Sequence, residues 1–99
     1  MNNKMKLSNR DSDLYRAILE LRTPEESYAF FSDLCTVAEM KAMEQRFQIA
    51  QLLSRGMIYN DILEKTGASS ATVSRVNRSL HLGMDSYRTL FARMEEKDE

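Results

Sequence analysis

Residues 59–80 read YNDILEKTGASSATVSRVNRSL. The first part predicts a short helix over 59–65 that buries Ile62 and Leu63. Gly67 supplies a turn, and Ser69 or Ser70 opens a second helix over about 70–80. That helix sets an apolar face, Ala71 or Val73 with Val76 and Leu80, against a polar one carrying Ser74, Arg75 and Arg78. Small hydroxyl residues at a helix start, then arginines and Asn77, form the pattern of a helix-turn-helix whose second helix enters the major groove of DNA. Leu63 is a departure, because the position four before the turn glycine usually holds a small residue where the helices cross.

Each polar residue of this segment has an expected role. Ser69, Ser70 and Thr72 lie where backbone N–H groups of a helix start attract phosphate, and one of the serines must cap the helix. Thr72 can meet a base edge or a thymine methyl. Arg75 or Arg78 either reads guanine with two hydrogen bonds or grips a phosphate, and the sequence leaves both open. Asn77 can lie on either side of the groove. Lys65, just before the turn, and Arg55 are expected phosphate contacts. The candidate DNA-binding set is therefore Arg55, Lys65, Ser69, Ser70, Thr72, Ser74, Arg75 and Arg78. The competing reading, an ordinary solvated helix face, fits each arginine singly. It weakens for the set, because no acidic residue lies between Glu64 and Asp85.

The chain's net charge of −1 over 99 residues does not advertise a polyanion partner, but its distribution does. Residues 1–40 hold five basic and seven acidic side chains, and residues 84–99 hold three and five. Residues 41–83 hold six basic (Lys41, Arg46, Arg55, Lys65, Arg75, Arg78) and three acidic (Glu44, Asp61, Glu64), a net of +3. One such unit attracts phosphate weakly, and a symmetric dimer doubles it.

Outward from this segment the pattern is helical throughout. A first helix is expected over 12–21, with Leu14, Ile18 and Leu21 on one face beside Tyr15 and Ala17. Thr23-Pro24-Glu25-Glu26 is a start signal: Thr23 caps, Pro24 takes the first turn and Glu26 closes a capping box. The helix that follows is expected to bury Tyr28, Phe31 and Leu34. Thr36-Val37-Ala38-Glu39 repeats the capping-box spacing and opens a long helix to about Arg55, which Gly56 ends in the left-handed conformation. That helix carries Met40, Met43, Phe47, Ala50 and Leu53 on one side, and Ile49 and Leu52 on another. Two wide apolar faces exceed what one small core needs, so the first three helices are expected to form a subunit interface; the alternative is a self-contained monomer. Gly83 breaks the second helix of the motif, and a last helix over 85–94 presents Tyr87, Leu90, Phe91 and Met94. The expected organisation is a flexible N-terminal arm at 1–11, a single all-helical domain at 12–94 and a charged, frayed tail at 95–99.

Several function classes are disfavoured. No run approaches the ~20 apolar residues of a membrane span. The start, MNNKMKLSNRDS, has no apolar segment behind its charges, so no secretory signal is expected. The single Cys35 is read as a small buried hydrophobe in a reducing, cytoplasmic setting, the alternative being a reactive thiol. His81 is the only histidine and has no partners for a metal set, Glu25-Glu26 and Glu95-Glu96 are explained by a cap and a solvated end, and there is no glycine-rich phosphate loop. No catalytic residue, metal site or cofactor is expected. The rival reading is an all-helical dimeric interaction module without a specific operator, binding protein or non-specific nucleic acid.

FFSDLCTVAEMKAMEQRFQIAQLLSRG (30–56) and ILEKTGASSATVSRVNRSL (62–80), taken together, resemble the trp repressor family, and more closely its YerC/YecD-like branch. The resemblance covers roughly residues 14–94. It implies an all-α fold of six helices per subunit, an intertwined homodimer joined through the N-terminal helices, a helix-turn-helix from the fourth and fifth helices, and transcriptional regulation, as a repressor, on double-stranded DNA. In the founding member, bound tryptophan wedges the helix-turn-helix into its DNA-binding pose. By the resemblance, Thr36 holds the position of the ligand-gripping threonine, Arg46 that of the arginine meeting the ligand carboxylate, and Arg75 that of the arginine stacked on the indole. Thr72 and Ser79 match the recognition helix's threonine and serine. The glycine that leaves room for the indole is here Val76, a change that overpacks a fitted site at ~1–3 kcal/mol. The expected regulator is therefore not tryptophan-dependent: its DNA binding is constitutive or set by another effector, an unidentified small anion held by Arg46 and Arg75, and the alternative for Arg46 is pairing with Glu44, with an acidic group across the dimer or with a DNA phosphate.

Overall fold

The computed structural model describes residues 9–98 and contains six α-helices among them. They are α1 (Asp13–Ile18), α2 (Pro24–Leu34), α3 (Val37–Ser54), α4 (Tyr59–Thr66), α5 (Ser70–Leu82) and α6 (Ser86–Asp98). The chain divides into two compact units, one ending at Val37 and the other beginning at Ala38. Residues 1–8 of the expected N-terminal arm lie outside the described residues.

The N-terminal unit carries two short helices. Helix α1 is shorter than the expected 12–21, because its end tightens: Glu20 N–H donates to the Ala17 carbonyl (3.0 Å) and Leu21 N–H to that of Ile18 (3.2 Å), both three residues back. Thr23 caps α2 as expected, its hydroxyl accepting from the Glu26 N–H at 3.0 Å, with Pro24 in the first turn. The return bond differs from the expected capping box, since the Glu26 carboxylate accepts from the N–H of Arg22 (3.1 Å), one residue before the cap. The expected burial of α2 fails in the single chain. Tyr28 is 66% and Leu34 53% exposed, Phe30 and Phe31 are half-buried against each other edge to face (5.2 Å), and no described residue up to Val37 is buried. Cys35, expected inside, is a half-buried free thiol. Two short helices have no second layer with which to enclose their apolar faces.

The second unit holds the core. Ile49, Ala50 and Leu52 of α3 pack with Ile62 of α4 and Val73 and Val76 of α5, flanked by Leu53, Met57, Leu63, Ala68, Tyr87 and Phe91. Of the expected α3 stripe only Ala50 is fully inside; Phe47 and Leu53 are half-buried, and Met43 is 37% exposed. Phe47 meets α6 through Phe91 (5.3 Å) and Tyr87 (6.2 Å). Helix α3 ends as the sequence predicts, at Gly56 with φ +87°. Gly56 N–H donates to the Leu53 carbonyl (3.0 Å) and Met57 N–H to that of Leu52 (3.1 Å), the paired bonds of a Schellman motif. Helix α6 continues through Asp98, four residues beyond the expected end at Met94, so Glu95 and its neighbours belong to an exposed helical turn. No helix of the described residues is long and apolar enough to cross a membrane.

Candidate nucleic-acid interface

The turn between α4 and α5 is built from short-range bonds. Gly67 takes φ +70°, and its N–H donates to the Leu63 carbonyl at 2.9 Å. A side chain at that φ meets its own backbone, whereas glycine does not. Thr66 folds its hydroxyl back onto the Ile62 carbonyl (2.7 Å) and accepts from the Ala68 N–H (3.2 Å). Ser69 then caps α5, accepting from the Thr72 N–H at 3.1 Å. That settles which of the two serines caps, and leaves Ser70 exposed in the first turn.

Helix α5 is two-faced. Val73 (0%), Val76 (2%) and Leu80 (5%) point into the protein, which resolves the Ala71-or-Val73 alternative in favour of Val73. Ser70, Ala71, Ser74, Arg75, Arg78 and Ser79 are exposed, and Asn77 is half-buried. No acidic residue lies in its first turn, so its positive end is uncompensated. Helices α4 and α5 pack on each other, with Ile62 facing Val73 and Val76 in the same core.

The other expected contacts are distributed as follows. Lys65 is exposed in the last turn of α4. Thr72 is half-buried and its hydroxyl sits 2.9 Å from that of Ser69, so it is engaged within the helix start. Arg55 is exposed but shares a groove with Glu95 and Asp98 of α6, and with Phe91 and Met94. Those carboxylates weaken its field toward a phosphate. Among the residues assigned to an effector pocket, Arg46, Arg75 and Ser79 are exposed on the second unit, Val76 is sealed in its core, and Thr36 belongs to the N-terminal unit. Sequence reasoning singled out neither Gln45 nor Thr66. The signal for Gln45 was available: it stands four before Ile49 and seven before Leu52, a polar residue on a buried stripe. Among the described residues, no group of three or more His, Cys, Asp or Glu side chains is placed to hold a metal ion.

Residues 11–95 match the family model described as Trp repressor protein. The chain belongs to that family. The Trp repressor proteins are DNA-binding transcription regulators and not enzymes. Among relatives, this chain is 43% identical over 94 residues to the uncharacterized protein YerC of Bacillus subtilis (strain 168), covering 94% of this chain and 90% of that one. Two crystal structures are similar throughout. A TrpR-like protein from Eubacterium eligens ATCC 27750 is 47% identical with a TM-score of 0.84, covering 95% of this chain and 96% of that one. A proposed Trp repressor from Staphylococcus aureus is 44% identical with a TM-score of 0.85, covering 96% of each chain. The all-α, six-helix architecture with its helix-turn-helix is thus that of the Trp repressor proteins, near the YerC-like branch.

Proposed function

We propose that this Trp repressor family member is a homodimeric transcriptional repressor that reads duplex DNA with α5 and does so without tryptophan. The observation that carries the reading is the division of α5. Its inner face is locked into the core by Val73, Val76 and Leu80, while Ser70, Ser74, Arg75 and Arg78 form an exposed face with no carboxylate among them. Such a face presents donors to base edges and phosphates from a fixed support. Arg75 and Arg78 are the contacts expected to matter most, with Lys65, Ser69 and Ser70 at the phosphate backbone and Arg55 a lesser contributor.

Dimerisation is supported by the N-terminal unit, whose Leu14, Tyr15, Leu19, Tyr28, Leu34 and Val37 are all exposed in the single chain. So many exposed apolar side chains on one short unit call for a partner, and a second copy supplies the two-fold symmetry that operator half-sites need. Tryptophan independence is supported by Val76, which fills the core where the family's glycine leaves room for an indole. An anionic effector held by Arg46 and Arg75 is part of the proposal; both side chains are exposed.

Selection of bound fragments from genomic DNA at physiological salt tests the reading. A short palindromic motif is the expected result. Uniform, motif-free binding that vanishes with salt would instead favour the interaction module with no specific operator.

A further inference from the structure

We infer that Gln45 is a positioning residue for DNA binding: its side-chain amide holds the end of α4 and so fixes the turn from which α5 projects. This rests on the reading of α4 and α5 as the DNA-binding unit. The last carbonyls of any helix lack partners within it. At the end of α4, the Leu63 carbonyl is taken by the Gly67 N–H (2.9 Å). The Thr66 carbonyl is taken from outside the helix, by the Gln45 amide of α3 at 3.3 Å. Thr66 is also the residue whose hydroxyl links the Ile62 carbonyl to the Ala68 N–H. One residue therefore joins α3, the last turn of α4 and the first residue after the turn glycine, and the cap of α5 at Ser69 follows directly.

The placement of Gln45 gives the bond its leverage. Gln45 is half-buried one turn before Ile49, on the α3 face that also carries Leu52. Ile62, Val73 and Val76 pack against that face, yet apolar contacts are non-directional and permit α4 and α5 to slide together over α3. A hydrogen bond from α3 to a named carbonyl of α4 sets the register of that sliding. A family fold that a wedged ligand holds in pose elsewhere is here held by the chain's own amide, in keeping with the filled site at Val76.

The test uses the full chain and the duplex that the wild type selects. Gln45→Met keeps the length of the side chain and removes the donor. Expected are an unchanged dimer mass and far-ultraviolet spectrum, roughly fivefold weaker binding of that duplex, and an unchanged salt slope, since no phosphate contact is lost. Amide exchange in the free protein should quicken at Gly67 and Ala68 while Ile62 and Val73 keep their protection, a local signature that general destabilisation does not produce. Gln45→Leu is the second variant, which removes the same donor to the Thr66 carbonyl with a different apolar side chain; it decides the matter by the same affinity and exchange readouts should Gln45→Met fail to fold. Unchanged affinity in a folded Gln45→Met protein, or exchange that quickens uniformly, overturns the inference. If the wild type selects no duplex, the DNA reading itself has failed, and exchange at Gly67 and Ala68 alone then decides whether Gln45 holds the turn.

Discussion

Replacing Val76 tests both the packing of the core and the claim that tryptophan has no place in it. Val76 is 2% exposed and surrounded by Ile49, Leu52, Ile62 and Val73. Val76→Ala removes two methyl groups, worth ~1.6 kcal/mol of transfer free energy at ~0.8 each. Incomplete collapse around the gap adds roughly 0.5–1 kcal/mol. Alanine's better helix propensity returns about 0.5 kcal/mol. The expected loss is therefore about 2 kcal/mol. Val76→Gly removes one further carbon and adds a mid-helix glycine, so its loss should be about 4 kcal/mol. Urea unfolding at one fixed protomer concentration measures both, with the slope checked for constancy. A loss under ~0.5 kcal/mol for Val76→Ala would refute the reasoning, because a tightly packed methyl pair cannot leave so cheaply. In parallel, isothermal titration of the wild type with millimolar tryptophan should give no saturable heat, and DNA affinity should not change. Saturable heat with a tenfold gain in DNA affinity, ~1.4 kcal/mol of coupling, would show that the backbone makes room despite the valine.

Arg75→Ala and Arg78→Ala should each weaken duplex binding with fold and dimer intact: by roughly 1–3 kcal/mol and selectively by sequence if the arginine reads a base, or uniformly with the salt slope reduced by about one if it holds a phosphate. Unchanged binding in both would remove α5 from the interface. Light scattering at micromolar concentration should give about 23 kDa, twice the 11.5 kDa chain, and a stable 11.5 kDa species would contradict the dimer. Gly67→Ala meets no neighbouring atom but must hold φ +70°, so thermal unfolding should show a loss of about 1 kcal/mol from backbone strain alone; no loss would mean that the turn relaxes freely.

The parts of this fold that could be read from the sequence are those decided within a few residues. Thr23 as a cap, a serine cap at Ser69 or Ser70, Gly56 as a left-handed stop, Gly67 as the turn, and the Val73–Val76–Leu80 face depend on local spacing; the structure has each in place, with Ser69 as the capping serine. Burial of Tyr28 and Leu34 was expected on the same periodicity and is absent from the single chain, because periodicity identifies an apolar face but not the molecule that covers it. The end of α6 was misplaced for a different reason. Glu95, Glu96, Lys97 and Asp98 are charged, which suits a tail, but they are also good to fair helix residues with nothing to break them. The candidate site draws on residue types that the sequence displays, but their geometry is not legible there: Ser69 and Thr72 bond each other, and Arg55 lines a groove with two carboxylates. The Gln45–Thr66 bond spans 21 positions and has no local spacing signal of its own.

The division of labour between the two units bears on how such a regulator works. Every buried residue of the described chain lies in the second unit, around the elements that present α5. The first unit buries none among its described residues and leaves Leu14, Tyr15, Leu19, Tyr28, Leu34 and Val37 exposed. Helix α5 thus has its support within the second unit, and on the proposed reading the surface for association is carried by other helices. On the proposed reading, DNA affinity then follows protomer concentration more steeply than it follows any ligand, since an isolated segment of net +3 attracts phosphate weakly and two copies are needed to reach both half-sites. On that same proposed reading, with Val76 in place of an indole cavity, the chain's own abundance joins any anionic effector as a variable that sets operator occupancy.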